Sequence, residues 1–112
     1  MALYQLVITR GASSGRAYLI REGENLIGRT DKETNIIPQV DLDEVDSEAK
    51  ISRRHALIER RGDIVTIRDI GSLNGTFVNR SARLADREVV KLRNGDEVII
   101  GDVFLRFEVM PD

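Results

Sequence analysis

A chain of 112 residues with a formal net charge of -2 and a pI near 5.5 has the size of one domain that buries a single core. It lacks the excess of Lys and Arg that general nucleic-acid binding requires. The absence of cysteine excludes disulfides, iron–sulfur clusters, thiolate zinc and a cysteine nucleophile, and a single histidine argues against any zinc site. No apolar run approaches the ~20 residues of a membrane span, and Met1–Gln5 lacks the basic start and apolar core of a signal peptide, so a soluble cytoplasmic module is expected.

Leu3 to Thr9 is rich in β-branched and aromatic residues and runs into the turn formers Gly11-Ala12-Ser13-Ser14-Gly15. The pattern predicts a first hairpin with a return strand over Arg16 to Ile20. A break at Glu22-Gly23-Glu24 precedes a short strand through Leu26 and Ile27 to Gly28. Thr30 to Lys50 is irregular and carries Pro38 and an acidic run from Asp41 to Asp46. It is expected to be a long loop with a short strand near Gln39 to Leu42 and a single helical turn. Loops longer than roughly 12 to 15 residues within a compact domain are uncommon and tend to be functional. The acidic run is not an EF-hand loop, because Asp46 stands where the sixth-position glycine belongs.

From Ala56 the alternation sharpens, with a hairpin turn at Gly62-Asp63. Ile64 to Ile70 should place Val65 and Ile67 in the core and Thr66 and Arg68 in water. Gly71 to Gly75 breaks that strand and Thr76-Phe77-Val78 restarts it. Glu88 to Leu92 and Glu97 to Ile100 are expected to pair as a hairpin around Asn94-Gly95. Gly101-Asp102 turns into a last strand, Val103 to Val109, with Leu105, Phe107 and Val109 on one face. About ten short strands without a sustained helical period indicate an all-β sandwich, in which loops gather at the two ends of the sheets. The chain is expected to form one domain over residues 1–112, whether whole or cut from a longer protein.

Three stretches concentrate hydrogen-bonding chemistry: Gly28-Arg29, Ile51-Ser52-Arg53-Arg54-His55-Ala56, and Gly71-Ser72-Leu73-Asn74-Gly75-Thr76-Phe77-Val78-Asn79. In that order they resemble a forkhead-associated (FHA) domain over nearly the whole chain. The resemblance implies a β-sandwich of two twisted, mostly antiparallel sheets with ten or eleven strands. It also implies a phosphothreonine-peptide binding module acting in signalling, whose partner is a protein phosphorylated by a Ser/Thr kinase. Neither cofactor nor metal, nucleic acid nor membrane belongs to that expectation.

By resemblance, Arg29, Ser52, Arg53 and Arg54 bind phosphate, and Asn74 holds the peptide main chain just after the phosphothreonine. Lys50 selects an acidic residue three positions beyond it. Leu73, also placed against the peptide, departs from the family pattern, because a threonine or serine there often adds a phosphate contact. Gly28, His55, Gly75 and Thr76 support the site, with His55 fixing the loop that presents Ser52.

The chemistry agrees with the resemblance. Phosphothreonine brings about -1.5 to -2 charges and three acceptor oxygens, which call for a fixed cation and several donors; Arg29 is a permanent, fork-shaped one. Two other readings compete. One is a phosphate-independent scaffold or dimerisation domain on the same fold, and the other is an enzyme with Ser52 as nucleophile and His55 as base. The second lacks a residue that would orient the imidazole.

Overall fold

The computed structural model describes residues 2–111 and contains ten strands with one short 3-10 turn. In chain order the strands are β1 (Leu3–Ile8), β2 (Ala17–Leu19), β3 (Gly23–Gly28), β4 (Val40–Asp41), β5 (Arg54–Arg61), β6 (Ile64–Asp69), β7 (Thr76–Val78), β8 (Val90–Lys91), β9 (Glu97–Ile100) and β10 (Val103–Met110). They form two five-stranded sheets, β2-β1-β10-β9-β7 and β4-β3-β5-β6-β8. Every pairing is antiparallel except the two-residue parallel contact of β4 with β3.

Alternation along the strands decides what lies between the sheets. The register sets Leu6 opposite Phe107 and Ile8 opposite Leu105, and all four side chains are buried. Ile27, Ala56, Ile58, Val65 and Ile67 close the core from the other sheet, while Thr66 and Arg68 on the opposite face of β6 are half-buried and exposed. Burial of such large apolar side chains contributes roughly 1.5 to 3 kcal/mol each. The edge strands β2, β4, β7 and β8 have only two or three residues, which leaves little free edge for pairing with another chain.

Most of the expected elements are present, including the β1–β2 hairpin and the short strand and helical turn inside the long loop, the latter at Asp43–Val45. One pairing differs. Val90–Lys91 joins β6 in the second sheet, while Glu97–Ile100 lies between β10 and β7 in the first, so Asn94-Gly95 crosses between sheets rather than closing a hairpin. The turn chemistry is still used there: Gly95 has φ of 92°, its N–H donates to the Phe107 carbonyl at 2.7 Å, and Asn94 Oδ1 accepts from Val109 N–H at 2.8 Å.

The topology fixes where the loops meet. Because β5 is antiparallel to both β3 and β6, the end of β3, the start of β5 and the end of β6 lie at one end of the second sheet. The first sheet brings the β9–β10 turn to that end as well, since Thr76 at the start of β7 pairs with Ile100 at the end of β9.

Phe107, 1% exposed at the centre of the sandwich, is the most informative core position. Phe107→Ala should lower unfolding free energy by about 3 to 5 kcal/mol, whereas Leu19→Ser on an exposed edge should stay within about 0.5 kcal/mol of the parent. Urea denaturation followed by circular dichroism measures both.

Candidate functional site

Gly28 ends β3 at an irregularity in the β3–β5 register. A Cβ at this position would lie 1.8 Å from the Arg53 carbonyl oxygen, so only glycine lets the two strands approach. The next residue extends the ladder, with Arg29 N–H donating to the same Arg53 carbonyl at 3.2 Å. Its side chain then turns toward the start of β5. Arg29 Nε donates to the Ile51 carbonyl at 2.5 Å, and the carboxylates of Asp46 and Asp43 lie 3.8 Å from Nε and 3.9 Å from Nη1. The side chain is one third exposed, so it is not sealed from solvent.

His55 is fully buried and joins two loops. Its Nδ1 accepts from the Ser52 main-chain N–H at 3.1 Å, so the ring proton resides on Nε2 and is donated to the Gly75 carbonyl at 2.7 Å. Burial pushes the imidazole pKa down, opposed by the bond to Gly75 and by the charge of Asp69. The contact to Ser52 is through the main chain and not through Oγ, so no serine–histidine dyad forms. Ser52 Oγ instead accepts from Leu73 N–H at 3.1 Å, which leaves its own O–H to donate outward.

The β6–β7 connection is organised from beneath by Asp69. Its carboxylate accepts from Gly71 N–H and Ser72 N–H, each at 2.9 Å, from the Ser72 hydroxyl, and from Thr76 Oγ1 at 2.8 Å. Burial alone would raise its pKa, but the bonds from Ser72, Thr76 and Gly71 outweigh it and hold the carboxyl below the usual range. Ser72 Oγ passes the chain of bonds on by accepting from Gly75 N–H at 3.0 Å, and Gly75 itself has φ of 95°. Arg83 clamps the outside of the turn through the Ser72 and Leu73 carbonyls at 2.6 and 3.3 Å.

The three stretches singled out in the sequence therefore converge. Asn74 Nδ2 donates to the Lys50 carbonyl at 3.0 Å, tying the third stretch to the residue just ahead of Ile51 and Ser52. Arg53 lies at the same end, with Nε 3.5 Å from Asp31. The Asp31 carboxyl is held below its usual range first by the Thr34 hydroxyl, with Arg53 adding to the effect. Arg54 is exposed at the start of β5, and its side chain has no ion pair or hydrogen bond among the described residues. Lys50 Nζ is 3.8 Å from Glu48. Leu73 is 81% exposed, so its contribution at this end is a main-chain donor beneath an apolar side chain. Thr76 is fully buried and supports the turn from within.

Sequence reasoning gave no role in the site to Asp46, Asp69, Ser72 or Arg83. Asp69-Ile70-Gly71-Ser72 carries a readable turn signal, an aspartate able to bond the main chain two residues on; nothing in it reveals that the carboxylate is buried.

The His55 arrangement has a pH consequence. A histidine whose folded pKa lies below its unfolded value of about 6.5 adds stability that is complete above that value. The contribution is lost as pH falls from there toward the folded pKa, because the unfolded chain then binds the extra proton. Urea midpoints should therefore fall below about pH 6.5, and His55→Gln should remove that component while lowering stability throughout. Asp69, with its depressed pKa, contributes in the same direction but only near and below about pH 4. Nitrogen NMR of the ring at neutral pH should report a neutral imidazole protonated at Nε2.

Comparison with known proteins points the same way as the geometry. The family described as FHA domain matches residues 25–101. A protein named oxoglutarate dehydrogenase inhibitor, from Corynebacterium jeikeium, is 36% identical over 102 residues, covering 91% of this chain and 62% of that protein. Glycogen accumulation regulator GarA from Mycolicibacterium smegmatis is 37% identical over 106 residues, covering 95% of this chain and 59% of that one. The chain thus spans about 60% of the length of these relatives. A solved structure from a structural and functional analysis of phosphothreonine-dependent FHA domain interactions superposes with a TM-score of 0.75 at 30% identity, covering 98% of this chain and 99% of that one. A family match over most of the chain, a shared two-sheet architecture and three converging loops lead to one conclusion: the chain belongs to the FHA domain family.

Proposed function

We propose that this chain is a phosphothreonine-peptide binding module that makes a protein–protein interaction depend on phosphorylation. The observation that carries the reading is the pairing of Arg29, a part-exposed permanent cation held by the Ile51 carbonyl, with Ser52, whose Oγ already accepts from Leu73 N–H. That bond leaves the Ser52 O–H free to donate to a phosphate oxygen. Arg53 and Arg54 supply further positive charge at the same end, and Arg29 offers the forked donor geometry that matches phosphate.

Asn74 lies beside the phosphate-facing loop, where its amide can meet the main chain of a bound peptide. Its bond to the Lys50 carbonyl leaves the side-chain oxygen available as an acceptor. Lys50, exposed at the same rim, favours an acidic residue on the ligand. The match to a solved structure concerned with phosphothreonine-dependent interactions supports threonine as the marked residue, so the partner is a protein phosphorylated by a Ser/Thr kinase. Two relatives bear names of regulators, an inhibitor and an accumulation regulator, which supports recognition rather than catalysis. We further propose that the module is one domain over residues 1–112 and acts in the cytoplasm.

Charge-assisted hydrogen bonds contribute about 1.5 to 3 kcal/mol each, and association costs offset much of the sum, so micromolar affinity is expected. Calorimetric titration with a phosphothreonine peptide and its unphosphorylated twin measures it. Arg29→Ala and Ser52→Ala should each weaken the phosphopeptide at least about tenfold. Equal affinity for the two peptides would instead favour a phosphate-independent scaffold.

A further inference from the structure

We infer that Asp46, in the long loop before β5, is the positioning residue that aims Arg29 at the phosphate. Its side chain is only 1% exposed, although it is a carboxylate in a surface loop. One oxygen accepts from Lys50 N–H at 2.8 Å and the other from Ile51 N–H at 3.0 Å. Its own carbonyl accepts from Ala49 N–H at 3.3 Å, closing the segment 46–51 into a tight ring. The Ile51 carbonyl, fixed by that ring, takes the Arg29 Nε–H at 2.5 Å, and Asp46 adds its charge 3.8 Å from the same nitrogen. With Nε committed, the terminal guanidinium nitrogens are the ones left to face an anion.

A second carboxyl lies beside it. Asp102, on the β9–β10 turn, faces Asp46, and its Oδ1 is buried without a hydrogen-bond partner among the described residues. Burial raises the Asp102 pKa first, and the nearby charges of Asp46 and Glu48 add to the effect. Asp43 provides the contrast. It is as near to Arg29, at 3.9 Å, but half exposed, and its carboxylate accepts no hydrogen bond among the described residues. Asp43 is a countercharge and Asp46 is a support.

The affinity part of this inference rests on the phosphate-binding reading; the geometric part does not. The test compares Asp46→Asn with Asp43→Asn, which remove the same charge at nearly the same distance from Arg29. An asparagine at position 46 keeps one accepting oxygen but turns an N–H group toward a main-chain donor, so the ring opens. Two readouts are taken on each folded variant, with thermal unfolding as a check on the fold. The first is the Arg29 Nε–H signal in proton–nitrogen NMR of the free protein. It should be sharp and protected from exchange in the parent and in Asp43→Asn, and lost or displaced in Asp46→Asn.

The second is affinity for the phosphothreonine peptide. Asp46→Asn should weaken it about five- to twentyfold, and Asp43→Asn should leave it equal or tighten it. In an Arg29→Lys background, which keeps the charge but lacks the Nε–H contact, the Asp46→Asn effect should shrink to less than about twofold. If the parent does not bind the phosphopeptide, the phosphate reading fails while the NMR comparison still decides the role of Asp46. An unchanged Arg29 signal in Asp46→Asn, or equal weakening by both asparagine variants, would overturn the inference.

Discussion

The binding end of this protein depends on one buried imidazole. His55 holds the main-chain N–H ahead of it and the Gly75 carbonyl across from it, at 3.1 and 2.7 Å, so the loop before β5 and the turn before β7 cannot move independently. A side chain with an acceptor on one ring nitrogen and a donor on the other can bridge two main-chain groups of opposite polarity. Arginine and lysine have no acceptor and cannot make both contacts. Neutrality is part of the design. Burial keeps the ring uncharged, and a proton on Nδ1 would face the Ser52 N–H donor head on.

From that joint the rest of the site follows as a set of main-chain anchors. Asp69 gathers the N–H groups of the β6–β7 turn, Asp46 gathers those ahead of Ser52, and Gly101 adds its own N–H to the Gly75 carbonyl at 3.3 Å. An acidic protein can present a phosphate site in this way because the site relies on fixed donors rather than on a net excess of positive charge. Arg29 and Arg53 each lie near a carboxylate, Asp46 with Asp43 in one case and Asp31 in the other. Those neighbours keep the free site close to electrical balance. A dianion bonded by several fixed donors competes with them readily, whereas diffuse attraction for any polyanion is suppressed.

Much of the fold was legible because strands write their burial into a two-residue period. Val65, Ile67, Leu105 and Phe107 occupy the faces that alternation assigned to them. Pairing was less legible: Asn94-Gly95 announces a turn but not which sheet the next strand joins, and here it joins the other one. The convergence of the stretches that carry Arg29, Ser52 and Asn74 follows from the order of the loops in the sandwich. Asp46 and Asp69 were not legible, because an aspartate in a loop is ordinarily a solvated charge. What distinguishes these two is burial against main-chain N–H groups that only the folded chain brings together.

Leu73 marks how the two layers divide the work. The position is occupied by a leucine that points 81% exposed into solvent, and its side chain can give nothing to a phosphate. Its main-chain N–H nevertheless binds Ser52 Oγ at 3.1 Å, a contact that any residue except proline could supply. The orientation of the serine hydroxyl is therefore written into the backbone of the turn, which Asp69, Ser72 and Arg83 hold from three sides. Side chains at the tip can vary without disturbing that orientation. An apolar side chain at the tip offers no donor to an anion, so the order of this turn rests on its main chain and on the buried groups beneath it.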